Sequence, residues 1–164
     1  MKISTLLILG SIASLSLSAC SKQNVEADSS FDTSSLIFGS FYGECIGEQC
    51  VDIYKLDTKA NTLAEDTKDQ RPGADTAYDG VYTARSQADY ALAKDLIPQL
   101  PVELLLEKST VIGSPDATDQ GGFYVEVTQN GQRRFWLIDT NTQQLPTYLR
   151  PFATALDHVL GELR

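Results

Sequence analysis

Histidine is all but missing from this chain: His158 is the only one among 164 residues. Imidazole metal clusters and histidine-driven nucleophiles therefore have almost nothing to work with. His158 falls between Leu156 and Val159, at the edge of an apolar stripe, with no serine or cysteine motif placed as its partner. Cysteine is scarce too. Three thiols and one distant imidazole do not make a plausible four-ligand zinc site. Positive charge is in short supply, with 13 Lys and Arg against 22 Asp and Glu and a net charge of −9. An acidic body disfavours nucleic acid and anionic lipid surfaces as partners. It suits a cationic partner, divalent ions, or simply solubility. A comfortable spanning helix is also lacking at the start of the chain. The apolar run from Ile3 to about Leu17 is broken by Gly10 and hydroxyl residues, and falls short of the roughly 20 residues a bilayer requires.

That short run is informative as a leader. Lys2 supplies the basic n-region, the apolar stretch the h-region, and Ser18-Ala19 the small residues a signal peptidase accepts. Leu17-Ser18-Ala19-Cys20 resembles the lipobox of bacterial lipoproteins. The resemblance implies a thioether-linked lipid on Cys20 and cleavage just before it, so that residues 1–19 form a signal peptide; ordinary secretion with cleavage after Ala19 is the alternative. Several acyl chains, at about 0.8 kcal/mol for each buried CH2, make such attachment effectively permanent. Ser21 follows the anchor where an aspartate would signal inner-membrane retention, so the resemblance points to the cell envelope and its outer membrane. The lipidated cysteine and the polar, serine-rich stretch after it, residues 20–35, read as a tether. About 15 residues of such chain reach about 20 Å. Removing the leader takes Lys2 with it and leaves the mature protein one charge more acidic. Residues 36–164 are then the right length for one globular domain.

With Cys20 assigned to lipid, Cys45 and Cys50 remain for each other in an oxidising compartment. The spacing in Cys45-Ile46-Gly47-Glu48-Gln49-Cys50 fits a bridge across a hairpin tip. So short a loop gains about 2 kcal/mol from closure. The strand-rich runs on either side, Leu36 to Cys45 and Cys50 to Leu56, predict that hairpin. A short strand is expected over Leu63 to Thr67, with turns at Arg71-Pro72-Gly73 and Asp79-Gly80. Ser86-Gln87-Ala88-Asp89 has the character of a helix start, and the helix should run to about Leu96 or Ile97 before Pro98. Val102 to Glu107 reads as a strand. Phe123 to Thr128 and Arg133 to Ile138 flank Asn130-Gly131, a strong hairpin signal. Phe152, Leu156, Val159, Leu160 and Leu163 form one apolar stripe on a final helix starting near Arg150. The pattern predicts an α+β domain, an antiparallel sheet built from two hairpins with two helices on one face.

Candidate chemistry is thin. The loop from Ser114 to Gly122 carries Asp116, Thr118 and Asp119, oxygen donors of the kind that hold calcium. Its spacing matches no defined calcium loop, and Asp, Pro and Gly are ordinary turn formers. Neither a metal nor a cofactor is expected. Carboxylates are plentiful, but no spacing singles out a pair for hydrolysis. Asp116, Asp119, Tyr124, Arg133, Arg134 and Trp136 make a candidate recognition surface. One arginine and one aromatic on each face of that second hairpin's strand is equally what a solvated edge looks like.

Two resemblances attach to these segments. The run from Phe38 through Cys50, with Pro115-Asp116, Gly121-Gly122 and the closing hairpin, looks like small lipoproteins of Bacteroidota, a likeness that brings no activity with it. Where such proteins often carry cysteines in the Pro-Asp loop, this chain has Ser114 and Ala117. The second half, with its aromatic hairpin, Leu145-Pro146 and Leu149-Arg150-Pro151 leading into a final helix, resembles in layout the emfourin-type inhibitors of thermolysin-like metalloproteases. The reading is thus a lipid-anchored envelope domain, non-catalytic, that contacts another envelope protein. A protease inhibitor and a carboxylate-based hydrolase are the alternatives. Cells fed labelled palmitate should label the parent and not Cys20→Ser, and an unlabelled parent would refute the anchor.

Overall fold

The computed structural model describes residues 33–129 and 131–164. Residues 1–32 lie outside it, and with them the leader, Cys20 and nearly all of the expected tether. Thr33 is already buried and the carbonyl of Ser34 accepts from the Thr58 amide. Among the described residues no helix is long and apolar enough to cross a membrane.

The domain is α+β, built on one sheet of seven strands in the order β4-β3-β2-β1-β6-β7-β5. Its members are β1 (Ser35–Phe41), β2 (Val51–Asp57), β3 (Thr62–Asp66), β4 (Tyr82–Ala84), β5 (Val111–Ile112), β6 (Gly122–Gln129) and β7 (Gln132–Asp139). The two expected hairpins, β1–β2 and β6–β7, are both present and are joined through an antiparallel β1–β6 pair. The sheet nevertheless exceeds two hairpins. β3 and β4 extend one side as a meander, and β5 closes the other as the single parallel pair, with β7. Asn130 is not among the described residues. Its neighbour Gly131 sits at φ +78°, in the left-handed region that a tight hairpin demands.

Side-chain alternation sorts the sheet into two faces. Leu36, Phe38, Tyr54, Leu56, Leu63, Val125, Val127, Trp136 and Ile138 point to one side, where they meet Leu96, Leu104, Phe152, Leu156 and Leu160. That face is covered by α1 (Gln87–Ala93), the single turn α2 (Leu96–Gln99) and α3 (Arg150–Leu163). The stripe on α3 falls as expected, with Phe152, Leu156, Leu160 and Leu163 buried, and His158 exposed. α1 opens with the expected capping box: the Asp89 amide donates to Ser86 Oγ and the Ser86 amide to the Asp89 carboxylate. It ends earlier than expected, at Ala93. Pro98 has no N–H to continue the ladder, so the chain restarts at Leu96 with the proline inside the first turn.

Val102 to Glu107 is not a strand but a 3-10 turn over Val102–Leu106. Only Leu104 is buried there, while Val102 and Leu106 face solvent, so the alternation a strand requires never develops. Arg134 takes the carbonyls of Leu105 and Glu107 in place of a sheet partner.

The opposite face is apolar as well. Ile37, Phe41, Val51, Ile53, Tyr124 and Leu137 line it, and a second core forms where Tyr78 and Ala74 lie down on them. Residues 67–81, polar and irregular in sequence, thus form a strap across this face. A polar chain pins the strap in place. Tyr78 donates its amide to Tyr124 Oη at 2.8 Å and its hydroxyl to Asp66 at 2.6 Å. Tyr124 donates in turn to Glu126, whose carboxylate also accepts from Arg133, and Arg133 reaches the Tyr78 carbonyl. Asp66 further accepts the amides of Lys68, Asp69 and Val81. Glu126 is fully buried and Arg133 partly exposed. Glu126→Ala leaves Tyr124 and Arg133 without their acceptor and should lower stability by about 2–4 kcal/mol in urea unfolding. Tyr124→Phe should cost about 1–2 kcal/mol.

Candidate functional site

The six residues of the expected recognition surface do not share a surface. Tyr124 and Trp136 are both buried, and on opposite faces of the sheet: Tyr124 under the strap, Trp136 under the helices. The Arg133 guanidinium is held by Glu126, while that of Arg134 lies over the Trp136 ring at 5.3 Å with its donors on backbone carbonyls. These two arginines alternate across the strand, but Trp136 and Leu137 further along it are buried on opposite faces, so the hairpin is not a solvated edge either. Asp119 stays exposed, at φ +58° in the 114–122 loop.

Asp116 has a structural post. Its carboxylate is almost wholly buried and pairs with Arg71 Nη2 at 2.6 Å. It also accepts the Gly121 amide and a backbone hydrogen bond from Gly43. Burial by itself would raise the Asp116 carboxyl. Arg71 and the two amides outweigh it and hold the group below the ordinary carboxylate range. One carboxylate thereby ties together three segments: the 114–122 loop, the strap through Arg71, and the β1–β2 loop through Gly43. Any side chain at Gly43 would run into both partners of this ion pair, so only glycine leaves room for it here.

The β1–β2 loop, residues 42–50, is anchored at both ends. The Tyr42 amide donates to the Cys50 carbonyl, and the Cys45–Cys50 disulfide closes the far part, with the Cα atoms 5.5 Å apart. Cys45 stands within the loop rather than on a strand, so the bridge fastens the tip to the root of β2. Gly47, at φ +123°, makes a turn that L side chains avoid. The consequence is Ile46. Its relative exposure is 102%, the highest among the large apolar residues described, while its neighbours are locked by the disulfide below. A lone isoleucine among Cys, Gly, Glu and Gln was visible in the sequence as an apolar residue with no strand or helix partners, and that was the signal for it.

Beneath this loop lies a hollow of about 480 Å³ lined by Gln49, Asp52, Tyr54, Glu65, Arg85 and Arg164, among others. Its arginines are committed. Arg85 bonds Glu65, Asp89 and the Leu163 carbonyl at the end of α3, and Arg164 bonds Asp52 and Ser40. Burial, reinforced by Glu65, pushes the Tyr54 phenol far above the ordinary tyrosine value. Against the upward push of burial, Asp89, bonded to Arg85 and to Ser86, has its carboxyl held below the ordinary carboxylate range. The described residues contain no cluster of three or more His, Cys, Asp or Glu able to hold a metal.

No protein-family model matches the chain, and no curated protein or solved structure matches it.

Asp116 ionises below its unfolded value of about 3.9. The stability it supplies is therefore complete above that value and is lost as pH falls through the folded one. Asp116→Asn should cost about 1–3 kcal/mol at neutral pH. Urea titrations at a series of pH values should show the variant losing less stability than the parent as acid is added.

Proposed function

We propose that this protein is a lipid-anchored, non-catalytic binding module of the bacterial cell envelope, held at the outer membrane by Cys20, which contacts an envelope protein through its stapled loop. The observation that carries the reading is Ile46. Single exposed apolar side chains are common; what sets Ile46 apart is full exposure on a loop that a disulfide holds closed. A partner gains a rigid apolar knob whose ordering was completed when the domain folded. Burying such a side chain contributes about 1.5–3 kcal/mol. The mixed-charge hollow next to the loop provides a polar border for the same contact, as interfaces ordinarily have.

A second reading is favoured by the shape of the same loop. A convex, disulfide-closed loop with an apolar tip is suited to a concave enzyme cleft. An inhibitor built on it would slow a thermolysin-like protease at an equimolar ratio; a non-inhibitory module would not.

The decisive experiment places a photo-crosslinking residue at position 46 in the anchored protein in its native envelope, with a second variant carrying it at His158, which is exposed on α3. A discrete adduct is expected from position 46 and not from 158. Ile46→Asp should reduce recovery of that partner about tenfold or more. Undiminished recovery with Ile46→Asp would remove the loop from the contact.

A further inference from the structure

The strap covers only part of its face of the sheet. Beyond its rim, at Tyr78 to Gly80, the face opens into a hollow of about 260 Å³ lined by Ser35, Lys55, Tyr82, Glu126, Thr128 and Arg133, with the rim itself. The donors and acceptors around this hollow are not balanced. The charged acceptors already have partners. Glu126 accepts from Tyr124 and Arg133, and the exposed Asp79 is paired with Lys68. The donors do not. Tyr82 Oη is buried with no hydrogen-bond partner among the described residues. Lys55 Nζ has no carboxylate partner there, and sits 5.7 Å from the centre of the Tyr82 ring. The half-buried hydroxyls of Ser35 and Thr128 likewise have none. An ammonium has three donors and no acceptor, and a hydroxyl always has one donor to give. A buried hydroxyl left unbonded costs about 1–3 kcal/mol.

A ligand that restores the balance must bring acceptors only, several of them, and negative charge. We propose that this hollow is a seat for a phosphate oxyanion, with Lys55 as its charge partner and the hydroxyls of Tyr82, Thr128 and Ser35 as its hydrogen-bond donors. The phenol of Tyr82 remains a neutral donor, because burial foremost, and the neighbouring carboxylates after it, push its ionisation well above the ordinary tyrosine value. Two acids, Glu126 and Asp79, line the same hollow; each is paired with a cation, Arg133 and Lys68, and acids further off than a Debye length of about 8 Å are largely screened at physiological salt.

Two sources could supply such a group. Under the anchor reading the tether keeps the domain within about 20 Å of the bilayer, so a phospholipid headgroup is within reach of the seat. A free phosphate or a phosphorylated solute has the same chemistry.

The test is amine-reactive footprinting of the full chain at matched ionic strength in chloride, comparing Lys55 with the exposed Lys108. Inorganic phosphate should slow modification of Lys55 several-fold and leave Lys108 unchanged. Tyr82→Phe and Thr128→Ala should each weaken that protection. In phosphate-free buffer, protection by phosphatidylglycerol vesicles but not by digalactosyldiacylglycerol vesicles, which contain no phosphate, assigns the seat to a headgroup. Protection by inorganic phosphate alone assigns it to a solute. The phosphate arm does not require the anchor, so failure of the anchor leaves it intact. Unchanged modification of Lys55 with both probes, or full protection retained in both variants, overturns the seat.

Discussion

The hydrogen-bonded chain Asp66–Tyr78–Tyr124–Glu126–Arg133 is the constraint on which the rest of this domain depends. A seven-stranded sheet with helices on one side has a second apolar face to hide, and here only an irregular strap is available to hide it. Such a segment has no ladder of its own, and ordering each residue costs about 1–2 kcal/mol of backbone entropy. Tyr78 meets part of that cost twice over, with its ring in the second core and its two polar ends in the network. Where the strap ends, the hollow beside Lys55 begins. Where the strap meets the 114–122 loop, Asp116 and Arg71 support the β1–β2 loop. Both candidate surfaces are therefore set by how the strap lies.

The extent to which this was legible in the sequence follows from how local each signal was. Ser86 and Asp89 announced α1 because a capping box is written within four residues. Asn130-Gly131 announced the second hairpin, and the spacing of Phe152, Leu156, Leu160 and Leu163 announced α3. The strap was not legible. Its role depends on Tyr78 meeting Tyr124, 46 residues further along, and a polar loop carries no period to reveal such a contact. β4 and β5 were missed because three residues and two residues are too short for alternation to register. Val102 to Glu107 misled in the opposite direction: its composition is that of a strand, but its neighbours offered Arg134 in place of an open sheet edge.

The site shows the same division. The bridge between Cys45 and Cys50 followed from cysteine arithmetic, whereas Tyr124 and Trp136 were misplaced as surface residues. A strand with both faces covered alternates between two interiors, not between interior and solvent. Aromatic residues on such a strand reveal nothing about recognition. Ile46 and Lys55 were the informative positions, an apolar residue without apolar company and a cation without an acid.

The two outermost strands are the shortest in the sheet, three residues in β4 and two in β5. Open strand edges are templates on which one molecule can pair with the next. A protein tethered to a lipid surface would meet its own copies in two dimensions, at a local density that solution never reaches, with their sheets held in similar orientations. Under those conditions long free edges would favour linear polymers. Outer strands this brief give a neighbouring copy too few hydrogen bonds to hold, and the stretch of β7 that β5 leaves uncovered carries Arg133 and Arg134, whose charges oppose pairing with a second copy of itself.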